Sequence, residues 1–198
     1  MVYYKLLFFI LLTLSNYSVS KHLIDDISLL SNTEYHNMVV EIPAGTNEKW
    51  ELNKKTGINE LEMKKGKPRI IEFLPYPGNY GFLPQTLSGD NDPLDIILLS
   101  SSIKRDSVVE VIIIGSLMFE DKGEEDFKLI AIPTDEEEIS IEEYMLKKPN
   151  AVLITKLWFE SYKKPGKMVF KGYLNRKDTL VYIDSNHLRW KKSNSKKK

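Results

Sequence analysis

The segment Gly89-Asp90-Asn91-Asp92-Pro93-Leu94-Asp95 places three carboxylates within six residues. Carboxylates this close repel one another unless a cation neutralises them. Pro93 interrupts regular pairing, leaving Asp90 and Asp92 on a loop while Asp95 opens the next strand. A loop lets the three converge, whereas one ideal strand would send Asp90 and Asp95 to opposite faces. Hard oxygen ligands of this kind suit Mg²⁺ or Mn²⁺. Asp-Asn-Asp-Pro is also sound turn chemistry on its own. A calcium loop of the EF-hand type is the other reading, and it fails. Leu94 takes the fifth position, glycine is missing from the sixth, and Ser101 stands where the closing glutamate belongs.

A second acidic group runs Glu120-Asp121-Lys122-Gly123-Glu124-Glu125-Asp126, with Lys128 two residues further on. An acidic hairpin tip is ordinarily a solvated turn. In an extended segment, however, Asp126 and Lys128 share a face, and an acid beside a base fits a metal–phosphate site. The remaining basic and phenolic groups are scattered. Lys49 and Glu51 alternate along one strand face, and Arg69 follows the turn Lys64-Lys65-Gly66-Lys67-Pro68. Tyr76 and Tyr80 flank Pro77-Gly78-Asn79, and Tyr162-Lys163 ends a helical stretch. Each of these alone reads as ordinary surface chemistry. Lys and Arg are nonetheless the residue types that bind phosphate, and tyrosine hydroxyls can donate to phosphate oxygens without adding charge. There is no Gly-x-x-x-x-Gly-Lys, Gly-x-Gly-x-x-Gly or Gly-x-Ser-x-Gly, which argues against P-loop NTPases, dinucleotide enzymes and serine hydrolases.

The elements that must position these groups follow from composition and periodicity. With 198 residues, 42% of them hydrophobic, the chain supports one domain with a real core. Its 28 basic and 28 acidic residues balance, so net charge decides nothing about partners. Without cysteine there is no disulfide framework, thiolate zinc site or thiol chemistry, and His22, His36 and His187 sit at no metal-ligand spacing. Short β-type runs span Met38–Ile42, Trp50–Leu52, Glu60–Met63, Arg69–Phe73, Leu94–Leu99, Val108–Ile114 onward to Phe119, Phe127–Ile132 and Met168–Leu174. Their close spacing points to a small barrel rather than a parallel sheet. The stretch Pro75–Gly89 is dense in Pro and Gly and predicts no regular element. Helices are expected over Ser140–Lys147, from a cap at Asn150 to about Tyr162 with Leu153, Leu157 and Phe159 or Glu160 near one face, and over Thr179–Leu188, where a strand is the alternative. The architecture predicted is one α+β domain over residues 21–190.

The two ends differ from that domain. Lys5 precedes an apolar run from Leu6 to Leu14, and Ser18-Val19-Ser20 offers small residues before Lys21, the layout of a secretory signal peptide over residues 1–20. The run is shorter than the roughly 20 residues a spanning helix needs, so no stable membrane span is expected in the mature form, with a short uncleaved anchor as the alternative. An exported location follows, with the cytoplasm as the alternative. Residues 191–198 concentrate lysine among Ser and Asn and predict a basic disordered tail.

Taken in order, these blocks resemble the family I soluble inorganic pyrophosphatases. Asp90-Asn91-Asp92-Pro93-Leu94-Asp95-Ile96 is similar to that family's signature. The flanking order agrees: Val40-Glu41-Ile42-Pro43, Lys49-Trp50-Glu51, Lys65-Gly66-Lys67-Pro68-Arg69, Tyr76-Pro77-Gly78-Asn79-Tyr80, then Asp121, Asp126, Lys128 and Tyr162-Lys163. The match covers roughly residues 35 to 170. The resemblance implies a five-stranded, OB-like closed β-barrel flanked by two or three α-helices. It implies Mg²⁺-dependent hydrolysis of pyrophosphate to two orthophosphates, with several ions per site and Mn²⁺ as a substitute. Asp90, Asp95 and Asp126 would bind the tightest metal, Asp121 and Asp126 another, and Glu51 one arriving with substrate. Asp92 would be the general base on a water bridging two metals and attacking in line. Lys49, Arg69, Tyr80, Lys128, Tyr162 and Lys163 would grip the phosphates, with Glu41 and Tyr76 lining or supporting the site. A homo-oligomer is implied, a hexamer before a dimer. Against this stand a nucleic-acid-binding OB-like module, which the clustered acids disfavour, and a phosphatase of broader specificity.

Overall fold

Runs of Val, Ile and Leu with side chains alternating between two faces build most of this molecule. The computed structural model describes residues 21–164 and 166–196, so the leader expected over residues 1–20 lies outside the described residues. In chain order the strands are β1 (His36–Ile42), β2 (Trp50–Asn53), β3 (Ile58–Leu61), β4 (Met63–Lys64), β5 (Lys67–Pro68), β6 (Asn79–Leu83), β7 (Leu94–Leu98), β8 (Val108–Asp121) and β9 (Glu124–Pro133). Helices α1 (Ile141–Lys147) and α2 (Pro149–Ser161) follow, then β10 (Met168–Asn175) and α3 (Arg176–Ser195).

Strands β1, β6, β7, β9 and β8 bond in that order, and β1 also bonds β8, closing a five-stranded ring. Strand β10 extends the sheet from β8. Strands β7 and β9 run parallel; the other pairings in the ring are antiparallel. This is the OB-like barrel with three helices that the family resemblance implied. Closure demands close approaches: a Cβ on Gly81 of β6 would come 1.9 Å from the Val39 carbonyl oxygen of β1, so only glycine fits there.

Successive residues enter opposite cores, as the two-residue period of a strand requires. Ile96 and Leu98 pack with Met38, Val40, Leu129, Ala131 and Ile183 of α3. Ile97 packs instead with Ile130, Ile132, Ile141 of α1 and Val152, Trp158 and Phe159 of α2. Both faces of the sheet are therefore covered, which explains near-continuous apolar runs such as Val111–Ile114.

Four expectations are corrected. The Pro- and Gly-rich stretch holds β6, whose five residues are all buried; Pro75, Pro77, Gly78 and Pro84 lie outside its ends. Arg69–Phe73 forms no strand: beyond the β4–β5 hairpin only an isolated bridge joins Ile70 to Glu48, and Ile70 and Phe73 face solvent. Helix α2 starts at Pro149, whose fixed φ suits a first turn, with Lys148 as its cap residue, so Asn150 lies inside it. Its buried face is Val152, Thr155, Trp158 and Phe159, while Leu153 and Leu157 are exposed. Finally, α3 runs on to Ser195 and takes in Lys191 and Lys192, which composition alone assigns to a disordered tail. Trp190 and Asn194 explain this, since both donate to the Asp25 carboxylate at 3.0 and 3.1 Å.

Candidate active site

Segments from most of the strands and from the end of α2 meet at one cleft of about 520 Å³ on the barrel flank. The β6–β7 loop supplies Asp90 and Asp92, β7 supplies Asp95, β8 ends in Asp121, and β9 carries Asp126 and Lys128. Lys49 and Glu51 come from the β2 end of a separate hairpin, Arg69 from the segment after β5, and Tyr80 from β6. Tyr162 caps the C-terminal end of α2, with Lys163 next to it. Glu41 joins them from a bulge in β1, where the register against β6 shifts between Val40 and Ile42. Every expected site residue lines this cleft apart from Tyr76, which is buried behind it.

Local structure accounts for the placements. In the loop, Asn91 takes a positive φ of 67° and Ser88 turns inward, donating its hydroxyl to Asp90 and, at 2.8 Å, to the Asp92 carbonyl. The Asp92 N–H adds a 3.0 Å bond to the Asp90 carboxylate. Burial pushes the Asp90 carboxyl up, but these two donors outweigh it and hold it below the ordinary aspartate value. Parallel pairing of Ile96 with Leu129 brings Asp95 beside Lys128. Antiparallel pairing of Asp121 with Glu124 folds the β8–β9 tip over the same mouth.

Lysines sit between the acids. The Lys128 ammonium, with its side chain only 5% exposed, contacts both Asp95 and Asp126. Burial works against its charge, yet the two carboxylates prevail and hold it above the usual lysine value. Lys163 lies 2.9 Å from one oxygen of Asp121, Lys54 lies 2.5 Å from Asp92, and Lys49 lies 3.3 Å from Glu51. Arg69 is turned to Glu62 at 2.6 Å. Neutralisation is thus local, and among the described residues no three acid or histidine groups converge tightly enough to form one ligand shell. Asp90, Asp95 and Asp126 share the cleft with ammonium groups interposed.

Glu41 is buried, which raises its carboxyl to about 8 against the pull of Lys49, and it accepts the Leu52 N–H at 2.9 Å. Burial and the Asp95 carboxylate push the Tyr80 phenol far up, so it stays a hydroxyl donor. Tyr76 acts through packing. Its ring lies 5.4 Å from Tyr80 and 4.3 Å from Trp158, and Trp158 stacks on Tyr162 at 4.6 Å. Trp158 is pinned in turn by its indole N–H to the Leu74 carbonyl at 2.8 Å.

The cleft also contains Lys122, Glu124 and Glu125 of the acidic hairpin tip, together with Lys54, Ser88, Phe127 and Tyr182, which the sequence did not single out. Lys54 follows β2 directly, and its spacing from Lys49 could have flagged it. Tyr182 had no local signal: it arrives from α3 and packs on Phe127 at 4.8 Å.

Fold and cleft together define a barrel protein that gathers acids suited to divalent cations and lysines suited to a small polyanion. A family model described as inorganic pyrophosphatase matches residues 38–191, and the chain belongs to that family. It is 36% identical to the mouse mitochondrial inorganic pyrophosphatase 2 over 84% of this chain and 60% of that protein. A type I inorganic pyrophosphatase from P. falciparum superposes with a TM-score of 0.80 at 28% identity, covering 87% of this chain and 64% of that one. A truncated vacuolar soluble pyrophosphatase from Trypanosoma cruzi, solved in complex with PPi, also gives 0.80, at 25% identity over 86% and 78% of the two chains. The chain therefore spans a little under two thirds of the first two relatives.

Proposed function

We propose that this chain hydrolyses inorganic pyrophosphate to two orthophosphates with the help of divalent ions, Mg²⁺ foremost. One observation carries the reading: a single cleft assembles five aspartates and Glu51 together with Lys49, Arg69, Lys128 and Lys163. Acids alone would repel pyrophosphate and bases alone would not hold a metal. The related T. cruzi protein, solved with PPi, supports the choice of anion.

The residues fit a metal. Asp121 keeps one carboxylate oxygen buried with no hydrogen-bond partner, an acceptor that a cation would satisfy. Asp90, Asp95, Asp121, Asp126 and Glu51 would hold the ions, which when bound neutralise substrate charge and acidify water. Asp92 takes the proton of the attacking water as its oxygen bonds phosphorus and the bridging P–O bond breaks. The Asp92 side chain is 54% exposed, and Lys54, its one ionic partner among the described residues, comes from a hairpin turn. Lys128, Lys163, Lys49 and Arg69 take up charge on the leaving phosphate. Tyr80 and Tyr162 donate hydroxyls, Tyr162 being aimed by its stack on Trp158.

Phosphate release from pyrophosphate, nitrophenyl phosphate and ATP, measured with and without Mg²⁺, tests this. Metal-dependent release from pyrophosphate well above the other two is expected. Equal rates on all three would replace this reading with a broader phosphatase, and no release would end it.

A further inference from the structure

The β2–β3 hairpin carries Lys49, Glu51 and, at its turn, Lys54 to the cleft, yet it is a separate two-stranded sheet with no ladder to the barrel. Something else must fix its distance from the acids on β7 and β9. The turn Lys104–Ser107 does this with two side chains that never reach the cleft. Its backbone is tied to β1 through Asp106 N–H to the Val40 carbonyl at 2.8 Å and Val40 N–H to the Ser107 carbonyl at 3.0 Å. From this anchored turn the Arg105 guanidinium carbon lies over the Trp50 ring, 3.5 Å from its centroid, and its Nε–H donates to the Glu41 carbonyl at 2.9 Å. The Asp106 carboxylate accepts from the amide of buried Asn59 at 2.8 Å. Trp50 belongs to β2 and Asn59 to β3, so each strand is gripped once.

We infer that Arg105 and Asp106 are positioning residues that set Lys49 and Glu51 against the barrel acids, an inference that rests on the pyrophosphatase reading. Trp50 lies between Lys49 and Glu51 in sequence, so its ring points away from the cleft while its neighbours point into it. A guanidinium over that ring therefore acts on both through one backbone segment. Asp106 holds a φ of 65°, a conformation that Asn and Gly tolerate and most residues resist. That separates the carboxylate's role from the backbone's.

Four proteins test it: wild type, Arg105→Gln, Asp106→Gly and Asp106→Asn. Arg105→Gln and Asp106→Gly are expected to lower kcat/KM for magnesium pyrophosphate about 10- to 100-fold, the scale of an ångström of misplacement. Most of the loss should sit in KM and in the Mg²⁺ concentration for half activity. Asp106→Asn keeps the acceptor and the backbone conformation, and should return to within about twofold of wild type. Hydrogen exchange gives a second readout. The Leu52 amide, bonded to Glu41, should exchange faster in the two damaged variants while Ile97 and Ile130 amides in the barrel keep wild-type protection. Wild-type kcat/KM in both Arg105→Gln and Asp106→Gly overturns the inference. So does faster exchange spread equally over barrel and hairpin, which would mean general destabilisation. If the wild type does not cleave pyrophosphate, the functional reading fails, and the exchange arm alone decides whether the turn holds the hairpin.

Discussion

Lys163 lies 2.9 Å from one carboxylate oxygen of Asp121, and the other oxygen of the same carboxylate is buried with no partner. An acid satisfied on one side only carries an energetic cost that a cation would relieve, which fits the ligand role proposed for Asp121. Asp121→Ala is therefore expected to raise the Mg²⁺ needed for half-maximal activity, as are Asp90→Ala and Asp126→Ala. Activity titrated against Mg²⁺ reads this directly, and an unchanged curve removes the residue from the ligands.

Asp92 stands apart from those acids because the role proposed for it is proton transfer. Asp92→Asn preserves size and hydrogen bonding but cannot accept the proton. Turnover should fall by about 10²- to 10⁴-fold, the usual contribution of a general base, while Mg²⁺ affinity stays near wild type. Calorimetric Mg²⁺ binding alongside steady-state turnover checks both halves; near-normal turnover would take the role from Asp92.

Lys128 is the one ammonium here with a 5% exposed side chain, and it contacts two carboxylates. Lys128→Ala leaves Asp95 and Asp126 facing each other without compensation. Breaking a fully buried pair costs on the order of 3 kcal/mol, and the partial exposure of Asp95 and Asp126 lowers that cost, so a smaller drop in the urea midpoint is expected at neutral pH. Added Mg²⁺ should recover part of that loss, whereas catalysis should not return. A midpoint equal to wild type would show that Asp95 and Asp126 find other partners.

His36, at the start of β1, supplies a pH signature far from the cleft. Burial lowers its pKa, the Asp184 carboxylate opposes this, and Arg176 reinforces it. A depressed folded value means the unfolded chain binds the proton more readily. The stability involved is present above the ordinary histidine value of about 6.5 and is lost as pH falls below it toward the folded value. Urea midpoints at pH 7.5 and 5.5 should differ more in the wild type than in His36→Gln. Equal pH slopes would assign the dependence elsewhere.

Much of the site was legible because its residues are short-range patterns. Asp90, Asp92 and Asp95 lie within one loop and the strand it opens, and Asp126 and Lys128 sit two apart on one strand face, where local geometry already keeps them in one neighbourhood. The strands rich in Val and Ile were equally readable. Strand β6 was hidden, since its prolines and glycines mark the turns at its ends while Gly81 answers to a β1 backbone some forty residues earlier. The buried face of α2 was misread for a similar reason. Leu153 and Leu157 have the right period, but the aromatic pile of Tyr76, Trp158 and Tyr162 won the core.

The amino-acid sequence by itself determined the chemistry: which acids and bases exist, which of them are neighbours, and which metals and anions such groups prefer. Only the tertiary structure decided that Lys128 stands between Asp95 and Asp126, that Lys54 and Tyr182 enter the cleft, and that Arg105 reaches Trp50. Side-chain types and local spacing are properties of the chain alone. Contacts between residues dozens of positions apart depend on ring closure and strand register, which are settled by burial of both sheet faces together rather than by any one segment.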